Sequence, residues 1–166
     1  GDILLVKKAK IGINDTTEKM YEVLAPLGAE VLMETIGLLE KGQLNPVKQD
    51  DALATKVGLL SKDMSPIDWT KSAFEIHNKI RGLYSWPGAS TTLNGKTLKI
   101  HSSVLSEKKG NTIPGEIIDA NGKIVVSCGD GKCIELKTIQ LEGKKRMDAS
   151  AFLNGYQLPS GTVLGK

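Results

Sequence analysis

Apolar residues crowd the stretch Ile3 to Ile13, recur at helical spacing from Met20 to Leu39, thin out after Gln43, and return beyond Ile67. The first stretch, β-branched and broken by Gly12, predicts a strand. Asn14, Asp15 and Thr16 supply N-cap chemistry, with Glu18 at the positive end of the helix that follows. Met20, Tyr21, Leu24 and Leu27, then Val31, Leu32, Thr35, Leu38 and Leu39, mark its apolar side, and Gly42 after Lys41 is a C-terminal stop. Pro26 and Gly28 predict two helical segments or a kink. From Gln43 to Pro66 the periodicity fades into a linker, with a short strand expected around Ala52 to Val57.

The pattern then changes. Thr70 is the expected cap of a helix whose one side carries Ala73, Phe74, Ile76, His77 and Ile80, and Gly82 ends it. Beyond Pro87, short strands are predicted at Thr91–Leu93, Leu98–Val104, Gly115–Ile118, Ile124–Cys128 and Cys133–Leu141. Asn94-Gly95, Asn121-Gly122 and Asp130-Gly131 are the turn signals between them. Five short strands with a flanking helix suggest a small barrel. A strand and helices ahead of the linker cannot bury both faces alone and suggest the closing part of an α/β domain. The expected class is therefore α+β in three parts: residues 1–42, a linker 43–66, and a barrel with its helix over 67–166.

The 166 residues include 40% hydrophobic and 25% charged ones, ordinary for a globular chain. Net charge is +3, unevenly divided: Gly1 to Pro66 holds 8 basic and 10 acidic residues, Ile67 to Lys166 holds 14 and 9. A basic second part suits a polyanionic partner. No apolar run approaches the roughly 18 residues of a membrane span. His77, His101, Cys128 and Cys133 lack the paired spacing of a zinc site, so no metal is expected. With no signal-like segment at the start, reduced cytoplasmic thiols are expected.

The run IDWTKSAFEIHNKIRGLYSWPGA (Ile67–Ala89) resembles the start of the C-terminal domain of methionyl-tRNA formyltransferases. LNGKTLKI (Leu93–Ile100), PGEI (Pro114–Ile117), GDG (Gly129–Gly131), LEGKKRM (Leu141–Met147) and FLNG (Phe152–Gly155) continue the match in order. The resemblance implies the tail of an α/β formyltransferase domain, then a linker and an OB-like barrel that contacts tRNA. It implies formyl transfer from 10-formyltetrahydrofolate, a cosubstrate, to the amino group of methionyl initiator tRNA in translation initiation.

In that family an N-terminal Asn, His and Asp do the chemistry, the first two in a motif Asn-x-His-x-Ser-Leu-Leu-Pro. His77 precedes Asn-Lys-Ile and His101 precedes Ser-Ser-Val, so neither matches. The family's Leu-Asp-Thr-Gly-Asp segment would place the catalytic Asp just ahead of Gly1, and Asp2 is not promoted in its place. The expectation is a chain with no catalytic residue, no bound folate and no formyl transfer of its own. Orphaned helices would then favour self-association.

The candidate tRNA contacts are Lys79 and Arg81 on the helix, Lys96 and Lys99 on the first strands, and Lys144, Lys145 and Arg146 near the end. Cations there neutralise phosphates without reading bases. Arg81 could instead pair with Asp68. Lys108 and Lys109, beside Glu107, are left unassigned. Trp69 and Trp86 could stack on RNA bases, but their apolar neighbours favour pinning the helix to the barrel. Alternatives are the folate-hydrolysing part of formyltetrahydrofolate dehydrogenase and a stand-alone nucleic-acid-binding barrel. The unbroken GLYSWPGA and basic LEGKKRM favour the tRNA enzyme over the former, and the half-domain before Pro66 argues against the latter.

Overall fold

A computed structural model describes residues 1–159 and 161–166. The chain divides into two compact units, Gly1–Leu59 and Leu60–Lys166.

In the first unit one helix, α1 (Thr17–Glu40), dominates. Thr16 caps it by accepting from the Lys19 amide, and Glu18 sits in its first turn. It ends in a Schellman turn: Gly42 (φ +66) donates to Leu39 O and Gln43 to Leu38 O. Pro26 lies inside without dividing it, so of the two expected alternatives the pair of separate segments does not form. The predicted strand Ile3–Ile13 is likewise absent. Only Ile3 pairs, in one antiparallel bridge to Val47. A strand needs a neighbour for its backbone groups, and no described strand lies in this unit. Lys7 instead ties the extended segment to α1 through Glu30 (2.7 Å) and Glu34 (2.8 Å). Ala52–Val57 is not a strand either; Asp51–Leu53 makes a single 3-10 turn capped by Asp50. No residue of α1 is buried.

The second unit is a bent antiparallel sheet with helices packed on it. Its strands are β1 (Ala89–Leu93), β2 (Lys96–Ser106), β3 (Ile117–Asp119), β4 (Ile124–Ser127), β5 (Cys133–Leu141) and β6 (Met147–Asp148). The order is β1-β2-β5-β4-β3, and β6 also pairs with β5. Asn94 and Gly95, both at positive φ, make the two-residue β1–β2 turn whose twist matches the strands. Irregular register between Ile100 and Ser103 bends β2. The interior is aliphatic: Leu93, Leu98, Ile100, Ile117, Ile124, Val126, Ile134, Leu136 and Ile139 are all buried. Each such side chain contributes about 1.5–3 kcal/mol.

Helix α2 (Ala73–Gly82) lays Ala73, Ile76 and Ile80 into this core. Its cap is Ser72 rather than Thr70, in a reciprocal capping box with Glu75. Thr70 instead bonds back to Asp68. Across the chain, Asp130 accepts from the Ala73 amide (3.1 Å), and Gly129 donates to Lys71 O (2.9 Å). The approach is so close that a Cβ on Gly129 would fall 1.8 Å from Thr70 O. The GDG motif thus clamps the start of α2. Elements not predicted include β6 and α3 (Ala149–Gly155), which buries Phe152.

Residues 161–166 close the unit. Leu164 donates to Gly115 O ahead of β3, and Gly165 to Thr92 O in β1, so the tail bonds to both edge strands of the sheet. Buried Trp69 lies beneath it, donating from Nε1 to Thr91 Oγ1 (3.0 Å) and packing against Gly115 and Gly165. Pro66 and Ile67 pair with Ser90, so this unit begins ahead of Ile67.

Candidate nucleic-acid interface

Alternation along β2 buries Leu98 and Ile100 and turns Lys99 outward. Gln140 of β5 is in register with Lys99. Its Nε2 donates to the Lys144 carbonyl (3.1 Å), leaving Oε1 beside His101 Nε2 at 3.3 Å. The β5–β6 turn then carries exposed Lys144, Lys145 and Arg146 over the same region. Arg146 donates to the Tyr84 hydroxyl (3.1 Å), and its guanidinium lies 5.4 Å from that ring's centroid. Between the strands runs an open groove of about 320 Å³ lined by Thr97, Lys99, Gln140, Leu141, Glu142 and Gly143. Glu142 is occupied there, accepting from the Thr97 amide.

Lys99, the Lys144–Lys145 turn and Arg146 therefore gather on one sheet face. Lys96 stands exposed at the neighbouring hairpin, opposite Leu93. The two helix cations are held differently. Lys79 donates to Pro66 O (2.6 Å), and Arg81 donates to Asn78 Oδ1 (2.8 Å). Lys108, left unassigned above, forms an ion pair with Asp119.

The sequence reading did not single out Tyr84, His101 or Gln140 for this face. The two-residue spacing of Lys99 and His101 was the available signal for the histidine; Tyr84 enters by tertiary contact alone, and Gln140 through its position four residues ahead of Lys144. Burial, then the charge of Arg146, holds the His101 imidazolium below the usual histidine value; Lys99 adds to this and the Gln140 contact opposes it. The tryptophans part company. Trp69 pins the helix region as expected, whereas Trp86 is 52% exposed. Leu83 and Ala89 take the buried positions on either side of it, so the expectation that Trp86 also pins the helix fails.

Other reactive groups are spent in the fold. His77 is buried with Nδ1 3.0 Å from Ser103 Oγ. Cys128 and Cys133 are buried free thiols, and burial pushes Cys128 up to about 12 and raises Cys133. Both are neutral near pH 7, so neither is an available nucleophile. Among the described residues no buried side-chain N or O lacks a partner, and no cluster of His, Cys, Asp and Glu could hold a metal. Among the described residues no helix is long and apolar enough to cross a membrane.

Residues 59–157 match the family "Formyl transferase, C-terminal domain". The methionyl-tRNA formyltransferase of Acidobacterium capsulatum is 41% identical over 165 residues, which cover 99% of this chain and 53% of that protein. That of Citrifermentans bemidjiense is 41% identical over 167 residues, covering 100% and 52%. The chain thus spans about half the length of these relatives. Among solved structures, HypX from Aquifex aeolicus in complex with tetrahydrofolic acid superposes with a TM-score of 0.62 at 16% identity, over 98% of this chain and 31% of that one. WlaRD, a sugar 3N-formyl transferase, gives 0.63 at 23%, over 87% and 51%. These last two speak for the fold alone. The ordered motifs, the bent antiparallel sheet and the family match lead to one conclusion: this chain belongs to the formyl transferase C-terminal domain family.

Proposed function

We propose that this chain is the C-terminal portion of a methionyl-tRNA formyltransferase, whose whole protein transfers a formyl group from 10-formyltetrahydrofolate to the amino group of methionyl initiator tRNA. In this reading the chain works in the cytoplasm during translation initiation. The carrying observation is the roughly 40% identity to methionyl-tRNA formyltransferases across essentially the full length.

The sheet, closed by its tail, serves as an OB-like barrel that holds the tRNA through its phosphates. Lys99, Lys144, Lys145 and Arg146 are the principal contacts. Lys96 reaches phosphates at the margin, while Lys79 and Arg81 steer RNA at longer range. Exposed cations suit this work because they release counterions without reading sequence. The formyl-transfer machinery lies outside these residues, and the folate is a cosubstrate of the whole protein. The bare apolar side of α1 belongs against further sheet in that protein.

Binding of the chain to initiator tRNA across a salt series tests this. Affinity should weaken linearly on logarithmic axes, and replacing Lys144, Lys145 and Arg146 together by Ala should reduce the slope by about 2–3. No binding at low salt, or an unchanged slope in the variant, would refute the assignment of this face.

A further inference from the structure

The basic face contains one group whose charge is not fixed near neutral pH, and its position is specified by the surrounding hydrogen bonds. The Lys144 carbonyl can only accept, so the Gln140 amide must turn its nitrogen there and its oxygen towards His101. That oxygen in turn requires the proton on His101 Nε2. The neutral imidazole is thereby held as one tautomer, with Nδ1 the nitrogen that titrates. Among the described residues Nδ1 has no partner within the chain.

The charged surroundings of the ring are one-sided. Arg146 from the β5–β6 turn and Lys99 from its own strand act on it, and Lys144 and Lys145 share that turn. Tyr84, ahead of β1, is engaged by Arg146. Strand β1 (ASTTL) carries no titratable side chain, and the α2 histidine, His77, is occupied with Ser103. On β5, Gln140 is neutral and Glu142 beyond it is bonded to Thr97. The cations that discourage a proton at His101 are those that would hold a phosphate.

We propose, resting on the tRNA reading of this face, that His101 is a proton-linked phosphate contact: binding of RNA across Lys99 and Arg146 is accompanied by uptake of a proton at Nδ1. Phosphate neutralises the cations around the ring and supplies an acceptor for the new N–H. In the free chain burial, Arg146 and Lys99 favour the neutral ring, and in the complex the ring gains positive charge. RNA binding then strengthens as pH falls, up to about tenfold for each unit by which the phosphate raises the ring's pKa.

The experiment is tRNA binding at fixed salt from about pH 5.5 to about pH 8, for the wild type and His101→Gln. It is accompanied by NMR titration of the wild-type His101 ring, free and in complex. Expected are a wild-type affinity that rises towards acid, a flatter profile for H101Q, and a ring midpoint moved upward by tRNA. Equal pH dependence in the two proteins, or an unmoved midpoint in a formed complex, overturns the proton linkage while the tRNA reading stands. Absence of binding at every pH overturns both. If H101Q does not fold, the wild-type titration alone decides.

Discussion

The GDG clamp gives a sharp test of the fold. Gly129 is not at a positive φ, so replacing it by Ala costs little in backbone conformation. The cost is steric. The new methyl would stand 1.8 Å from Thr70 O and 2.4 Å from Thr70 C, both backbone atoms. Reaching ordinary contact needs a shift of roughly 1.5 Å. A shift that size breaks the Gly129–Lys71 hydrogen bond and the Asp130 bond to the Ala73 amide. Two hydrogen bonds at about 1 kcal/mol each and overpacking at about 1–3 kcal/mol sum to about 3–5 kcal/mol. For a unit this size that lowers Tm by about 15–25 °C. Urea and thermal unfolding, followed by the fluorescence of buried Trp69, measure it. Gly131→Ala is the control, since its added carbon meets open space and only φ +71 is unfavourable, a cost of about 1–2 kcal/mol. A G129A protein within about 0.5 kcal/mol of wild type would refute the reasoning.

Glu75 and Asp68 are held below the usual carboxylate range, first by the hydroxyls of Ser72 and Thr70 respectively, then by those residues' amides. The stability they contribute is present above their unfolded values and is lost as pH falls through the depressed folded ones. Denaturation midpoints should therefore decline below about pH 4.5, and Glu75→Gln should remove part of that decline; an identical profile in the variant sinks the idea. Trp86→Ala should leave stability within about 0.5 kcal/mol and weaken tRNA binding by about 1–3 kcal/mol if the ring stacks on a base. Unaltered affinity would show that it does not. The isolated chain should self-associate through α1, where Tyr21, Leu32 and Met33 are 72%, 59% and 68% exposed. Light scattering should report a mass that grows with concentration and falls back with Leu32→Glu and Met33→Glu; a strict monomer at high concentration counts against it.

Legibility in the sequence followed the range of the forces involved. Strands β1, β2, β4 and β5 were readable because each combines alternation or a dense apolar run with a turn signal, as Leu93-Asn94-Gly95 does. The body of α2 was readable from Ile76 and Ile80, but its cap was not. Thr70 and Ser72 are chemically alike, and only the reciprocal bond from Ser72 to Glu75 selects the latter. Ile3–Ile13 misled because β-branched composition reports a willingness to pair and says nothing of whether a neighbour is present. Pro26 did not split the helix, because it removes only one donor, a loss a 24-residue helix absorbs. Of the basic face, the run Lys144-Lys145-Arg146 was visible. The bonds that bring Tyr84 and His101 to it join residues 62 and 39 apart along the chain, and no local pattern encodes them; Gln140 reaches it through the nearby Lys144 carbonyl.

The tail that bonds both edges of the sheet has a consequence for biosynthesis. Residues 161–166 complete the wall around Trp69, yet the ribosome makes them after every other part of the unit. Until they emerge, the Gly115 and Thr92 carbonyls lack the donors that Leu164 and Gly165 supply in the folded unit. The nascent unit can zip its hairpins as they emerge, but it cannot lock until this segment follows them, so sealing of the sheet edges is the step that comes last in the order of synthesis of the unit.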